Sequence, residues 1–185
     1  MNHKIWMMLA LTLSATGAQA ADTYAGVDFL IADYQESAMS DSVAPKAIEV
    51  KYGIQMDQNL GVEFRLGTGI SNGKTSNLLI NPPSGPRIVP SFEASLDLLL
   101  GAYGRAALPV TENFQVYALA GVASIETTHI VPGVNITNTD TNFSYGAGFA
   151  FKPNETTTIS TEYMMLVDNN DLQITSLNLG FAMKF

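Results

Sequence analysis

The sequence has no cysteine, and only 14% of its 185 residues are charged. The first absence removes disulfides as a source of stability, so hydrogen bonding and packing must supply it. Basic residues are the scarcer charges: nine Lys plus Arg face seventeen Asp plus Glu, a formal net charge of −8. That balance argues against a nucleic-acid-binding domain, which needs a basic face. After Ala20 there is no run of eighteen apolar residues, so no helical membrane span is expected. Capped patterns of period 3.6 are missing too. So are a phosphate loop, a dinucleotide fingerprint and Cys/His metal spacing, and no cofactor or metal is expected. What is abundant is apolar residues, 46% of the chain. The length suits one domain with a real core, and the composition is too apolar for disorder. A chain this poor in charge needs an oily surface, a large oily core, or both.

Residues 1–20 read as a secretory leader. Lys4 supplies the positive start, Ile5 to Leu13 a short apolar stretch, and Ala18-Gln19-Ala20 a small-residue cleavage site. The stretch is too short for a membrane anchor. Cleavage would remove Lys4, leaving eight basic against seventeen acidic residues and a net charge of −9 from Ala21 onward.

The remainder, residues 21–185, alternates with a period of two, the signature of β-strands. At the C-terminus Leu177, Leu179, Phe181, Met183 and Phe185 share one face, opposite Ser176, Asn178, Gly180, Ala182 and Lys184. The pattern recurs over 143–151, 60–70 and 47–56, and less cleanly over 23–33, 92–108, 114–126 and 157–167. This predicts eight strands. Tight turns rich in Asn, Asp, Glu and Pro fall at 57–59, 109–113 and 153–156, with a short link at 168–171. Longer links fall at 34–46, 71–91 and 127–142. Short turns at one end and long loops at the other predict an all-β, antiparallel, up-and-down barrel, closed because closure removes strand edges.

The distribution of charge decides which way the barrel faces. The strand charges assigned to one face are Asp28, Glu49, Lys51, Glu63, Arg65, Glu93, Asp97, Arg105, Glu162 and Lys184. Many strand glycines share that face, whereas the other carries Val, Ile, Leu, Phe, Tyr and Met. An exposed strand gains nothing from glycine. Inside a narrow cylinder, small residues leave room for charged ones. The charges are therefore expected to line the lumen as a paired network, and the apolar face to meet lipid. Phe and Tyr at strand ends are expected to form interfacial girdles.

The leader, the eight alternating segments and the terminal aromatic together resemble the small eight-stranded outer-membrane barrels of Gram-negative bacteria. That family includes the opacity-type proteins and the transmembrane domain of OmpA. The contexts of Gly26, Gly121, Gly146 and Gly148 are similar to its glycine-rich strands. The resemblance implies a transmembrane barrel over 21–185 in the outer membrane, in contact with lipid and lipopolysaccharide. It also implies that Leu177, Leu179, Phe181, Met183 and Phe185 act as the assembly signal read by the barrel-assembly machinery, with periplasmic chaperones as transit partners. Because the pattern ends at Phe185, the periplasmic tethering role of OmpA's second domain is not expected.

Catalytic signals are sparse. His129 is the only histidine after the leader, at the start of the 127–142 loop, and Ser124 would point to the opposite face. Glu93 and Asp97 suggest an acid–base pair, but lumen partners Lys51, Arg65 and Arg105 favour a structural network. Asp168 to Asp171 could bind a divalent cation weakly, although a plain turn suits it better. The expected protein is non-enzymatic, its long loops serving surface interaction with a host or surface ligand, or envelope integrity. The alternatives are a narrow pore, a lipid A-modifying enzyme, and a soluble periplasmic ligand-binding barrel.

Overall fold

The computed structural model describes residues 22–80, 85, 87–131 and 134–185. The expected leader and part of the Pro-rich stretch in the 71–91 link lie outside these residues. The described chain forms nine antiparallel strands: β1 (Asp22–Glu36), β2 (Lys46–Gln55), β3 (Leu60–Ser71), β4 (Gly73–Ile80), β5 (Arg87–Pro109), β6 (Phe114–Val131), β7 (Val134–Phe151), β8 (Thr157–Asp168) and β9 (Leu172–Lys184).

Eight of them close into a ring. β1 pairs with β9 from Tyr24↔Lys184 to Glu36↔Leu172, and β3 pairs with β5 from Leu60↔Ala106 to Gly67↔Leu99. β4 lies outside the ring count. It follows β3 after the single residue Asn72 and pairs with the first part of β5, from Gly73↔Ala94 to Ile80↔Arg87. It thus continues the third wall position beyond the barrel proper. The eight expected strands correspond to the ring, and β4 corrects the reading of 71–91 as a loop. Its alternation is hidden in the sequence by a local irregularity. Asn77 takes a left-handed conformation (φ 56°), and the pairing steps from Ser76↔Ser91 to Leu78↔Val89, passing over Pro90, which has no N–H to offer. The 127–142 link is likewise a strand hairpin, paired out to Val131↔Val134.

The exterior of the ring is apolar. Val27, Phe29, Leu66, Val122, Phe149 and Leu179 are 38–62% exposed, whereas inward neighbours such as Asp28, Arg65 and Asn178 are buried. Aromatic pairs sit near the short-turn end, with Tyr52 and Phe185 rings 6.4 Å apart and Phe114 and Phe149 rings 5.9 Å apart. Phe143 and Tyr145 form a pair farther along β7, 6.0 Å apart. Aromatic rings at both ends of an apolar band fit the two interfaces of a bilayer.

The interior is layered. On β1 the inward series runs Tyr24, Gly26, Asp28, Leu30, Ala32, Tyr34, from polar to apolar toward the long-loop end. Leu30, Leu78, Leu96, Ile125, Met164 and Ile174 are at most 2% exposed and fill that half with a hydrophobic core. The lumen is therefore polar only in its other half, which corrects the expectation of a polar lumen throughout. An apolar plug needs no buried charge to be paired, and an unpaired one would be costly.

Candidate functional site

The polar half of the lumen centres on Arg65. Its guanidinium donates to Glu162 through Nη1 (2.7 Å) and Nη2 (3.1 Å), and through Nε to Glu63 Oε1 (2.6 Å). Nη2 also pairs with Glu63, while Glu49 and Asp28 lie 3.4 and 3.9 Å from Nη1. Lys51 Nζ sits 2.7 Å from Asp28 Oδ1 and 3.7 Å from Glu162. Tyrosines satisfy what the cations leave over: Tyr117 donates to Glu162 (2.7 Å) and Tyr24 to Glu63 (2.5 Å). The Arg65 guanidinium also lies over the Tyr103 ring, 5.2 Å from its centroid. All the charged members are at least 95% buried.

Small residues make this packing possible. A Cβ on Gly180 would meet Asp28, Ser160 Oγ at 2.5 Å and Lys51 Nζ at 2.9 Å. One on Gly148 would sit 2.8 Å from the Tyr117 ring and hydroxyl. These glycines are the room that the charges and rings occupy.

Seven of the ten expected lumen charges are buried in the lumen: Asp28, Glu49, Lys51, Glu63, Arg65, Arg105 and Glu162. Lys184 is on the same inward face but reaches the rim, where it lines the cavity mouth. Two do not face inward. Register between β5 and β6 shifts between Leu96 and Leu98, so Leu96 and Leu99 both point inward and the parity of the strand reverses. Glu93 and Asp97 consequently face outward beyond the bulge. Glu93 takes a salt bridge from Lys74 (3.0 Å) and a hydrogen bond from Asn72 (3.3 Å), which together hold its carboxyl below the usual range. Asp97 accepts from Ser95 (2.7 Å) and Thr128 (2.5 Å). Lys184 lies at the rim, 46% exposed, paired with Asp22 at 2.5 Å.

His129 is on β6 rather than in a loop, and it reaches across the long-loop mouth. Its Nε2 is 2.6 Å from the Tyr34 hydroxyl and its Nδ1 3.3 Å from Glu36, while the Phe92 ring packs 5.8 Å away. Tyr34 itself donates to Glu36 (2.6 Å). β1 and β6 stand four places apart in the eight-strand ring, so this contact spans the barrel. Ser124 faces the other way, in a hydrogen bond from Thr141 (2.9 Å). The Asp168–Asp171 link is a turn in which Asn169 Oδ1 accepts from the N–H groups of Asp171 and Leu172. Among the described residues no His, Asp and Glu side chains cluster as a metal site.

Sequence reasoning missed the inward tyrosines and the cavity they border. Between the charged layer and the short turns lies a cavity of about 1100 Å³, lined by Tyr24, Lys51, Glu63, Arg105, Gln115, Tyr117 and Glu162 among others. The facing glycines Gly53 and Gly148 were the available signal for Tyr24 and Tyr117.

A closed antiparallel ring with an apolar exterior, aromatic bands and an inward ion-pair network defines a small transmembrane β-barrel. The chain belongs to the family described as the outer membrane protein beta-barrel domain, whose pattern matches residues 7–185. It is therefore a protein of the Gram-negative outer membrane. No curated protein matches it in sequence. Among solved structures it is similar to Ail, the attachment invasion locus protein of Yersinia pestis (14% identity, 89% of this chain and 99% of that one, TM-score 0.62). Ail has also been crystallised with the heparin analogue sucrose octasulfate. Neisserial surface protein A is similar at 12% identity, over 88% and 97% of the two chains, with a TM-score of 0.61. OprG of Pseudomonas aeruginosa is similar at 15% identity, over 91% and 98%, with a TM-score of 0.58.

Proposed function

We propose that this protein is a non-enzymatic outer-membrane barrel whose long-loop end is a surface-interaction platform. The observation that carries the reading is the extension of β4, β5, β6 and β7 past the ring. β7 pairs with β8 only as far as Tyr145↔Met165, yet it continues with β6 to Val131↔Val134. The short turns then face the periplasm and the extension faces the medium.

The chemistry of the platform is acidic. Asp33, Glu36, Asp41, Glu93, Asp97, Glu126, Asp140, Asp168 and Asp171 belong to this end, against Lys46, Lys74 and Arg87. This balance suits a cationic partner, such as a basic protein segment, and disfavours the sulfated ligand seen with Ail. A lumen plugged by apolar residues does not conduct, and a histidine whose polar partners among the described residues are Tyr34 and Glu36 supports the absence of hydrolytic chemistry. The alternating C-terminal face from Leu177 to Phe185 serves as the signal for the assembly machinery, after escort by periplasmic chaperones.

The cysteine-free sequence allows a clean test of the orientation. Thr137→Cys should react with a membrane-impermeant maleimide on intact cells, while Gln58→Cys should react only after the outer membrane is opened. Intact cells should bind an immobilised basic peptide in a salt-sensitive way and ignore heparin, and Glu126→Gln/Asp140→Asn should weaken that binding. Labelling of Gln58→Cys on intact cells would invert the topology. Heparin binding without peptide binding would overturn the assigned partner. His129→Ala should leave lipid A unchanged by mass spectrometry.

A further inference from the structure

Three cations are buried in the polar half of the lumen, and two are fully engaged. Lys51 is held by Asp28, and Arg65 by Glu63 and Glu162 with Glu49 and Asp28 nearby. The third, Arg105, is nine-tenths buried, yet among the described residues it forms no ion pair and no hydrogen bond with protein. Its guanidinium carbon lies 4.2 Å from the centroid of the Tyr117 ring. The Tyr117 ring covers one side of the guanidinium, and Arg105 also lines the cavity.

The neighbouring acids are already taken. Glu63 accepts from Arg65 and the Tyr24 hydroxyl, and Glu162 from Arg65 and the Tyr117 hydroxyl. Asp57, at the cavity mouth, caps its own turn by accepting from the N–H groups of Asn59 (2.7 Å) and Leu60 (2.8 Å). Asp22 is paired with Lys184. Glu155, exposed in the β7–β8 turn, is the remaining acid of the lining. On the basic side Lys152 stands at the same mouth. Burial, together with the nearby charges of Arg105 and Lys184, pushes its ammonium below the usual lysine value, with no carboxylate opposing. Gln115 adds a buried amide, 8% exposed, that makes no protein hydrogen bond among the described residues.

We propose that this cavity is an oxyanion site, built on Arg105 with Lys152 at its mouth, for the carboxylate or phosphate group of a small molecule. A guanidinium edge offers two parallel N–H donors that match either group, and contact with the Tyr117 ring holds the guanidinium at the cavity before any ligand arrives. About 1100 Å³ accommodates a small organic anion. The charged layer and the apolar plug close the far side, so the ligand enters and leaves at the short-turn end.

The test uses the full barrel refolded in neutral maltoside micelles. Inorganic phosphate and acetate are titrated separately while the backbone amide signals of the cavity-lining residues are followed by nuclear magnetic resonance. The amide signals of Gln115 and Tyr117 should shift saturably. R105Q should abolish that shift, R105K should weaken binding about tenfold because the paired donors are lost, and K152Q should weaken it several-fold. K74Q, on the opposite end, should change nothing. Repeating the phosphate titration in neutral vesicles, with and without phosphatidylglycerol, separates the sources: competition by the anionic lipid assigns the site to a headgroup, and no competition to a free solute. The proposal fails if the parent protein shows no saturable shift, or if the affinities of R105K and K152Q equal that of the parent. Those two variants decide the matter even if R105Q does not fold.

Discussion

Arg65 on β3 and Glu162 on β8 meet across the full width of the barrel, in a two-pronged contact of 2.7 and 3.1 Å. Their strands are four places apart in the eight-membered ring, so the pair ties opposite walls together. In the low-dielectric lumen the pair does not stand alone, since Glu63, Glu49 and Asp28 converge on the same guanidinium.

Removing the hub should therefore cost more than removing one spoke. Arg65→Met leaves several carboxylates buried without their cation, and should destabilise the barrel by about 3–5 kcal/mol. Glu162→Gln should cost less, because three acids remain to balance Arg65. Urea unfolding in vesicles measures both, and equal midpoints for Arg65→Met and the parent would contradict the central role given to Arg65.

Gly180→Ala should also destabilise, by about 1–3 kcal/mol, since the added methyl enters the space of Asp28, Ser160 and Lys51. Gly104→Ala is the matched control, as its Cβ would meet only the Ala120 carbonyl oxygen at an ordinary 3.7 Å. The two should separate clearly in the fraction of folded, heat-modifiable protein on gels.

The apolar plug predicts electrical silence. Planar bilayers containing the purified protein should show no steady open level. Leu96→Ala should cost about 2–5 kcal/mol through the cavity it leaves, yet remain closed, because the Arg65 layer still fills the barrel beyond it. A stable conductance in the parent protein would contradict the closed lumen.

The β4–β5 hairpin should loosen in acid. Lys74 and Asn72 hold the Glu93 carboxyl below its ordinary value in the folded protein. A depressed carboxyl contributes stability above its unfolded pKa and loses it as pH falls through the folded one. Carboxyl titration by nuclear magnetic resonance should place Glu93 below a normal glutamate, and Lys74→Ala should move it back up.

The ring was legible in the sequence because lipid outside and polar groups inside impose alternation on β2, β3, the end of β7 and the C-terminal half of β9. Glu93 and Asp97 were misplaced because the bulge falls at Asp97 itself, between Leu96 and the run Leu98-Leu99-Leu100, whose identical side chains carry no marker of parity. The plug was visible in principle: in the inward series of β1, charge ends at Asp28 and Leu30 begins the apolar half. Arg105 was placed correctly as a lumen charge, but its lack of a partner depends on how Glu63 and Glu162 are shared among other donors. No spacing within one strand can report that.

The closure of β1 on β9 has a consequence for how the protein is made. Tyr24 is hydrogen-bonded in register with Lys184, so the seam joins opposite ends of the chain. Contacts of such sequence separation form late, because a long loop must be closed before they contribute. No fragment without β9 can complete the cylinder, and the facing edges of β1 and β8 stay open until β9 pairs with both. A chain lacking β9 is therefore expected to leave the barrel open, whatever pairings its other strands have made.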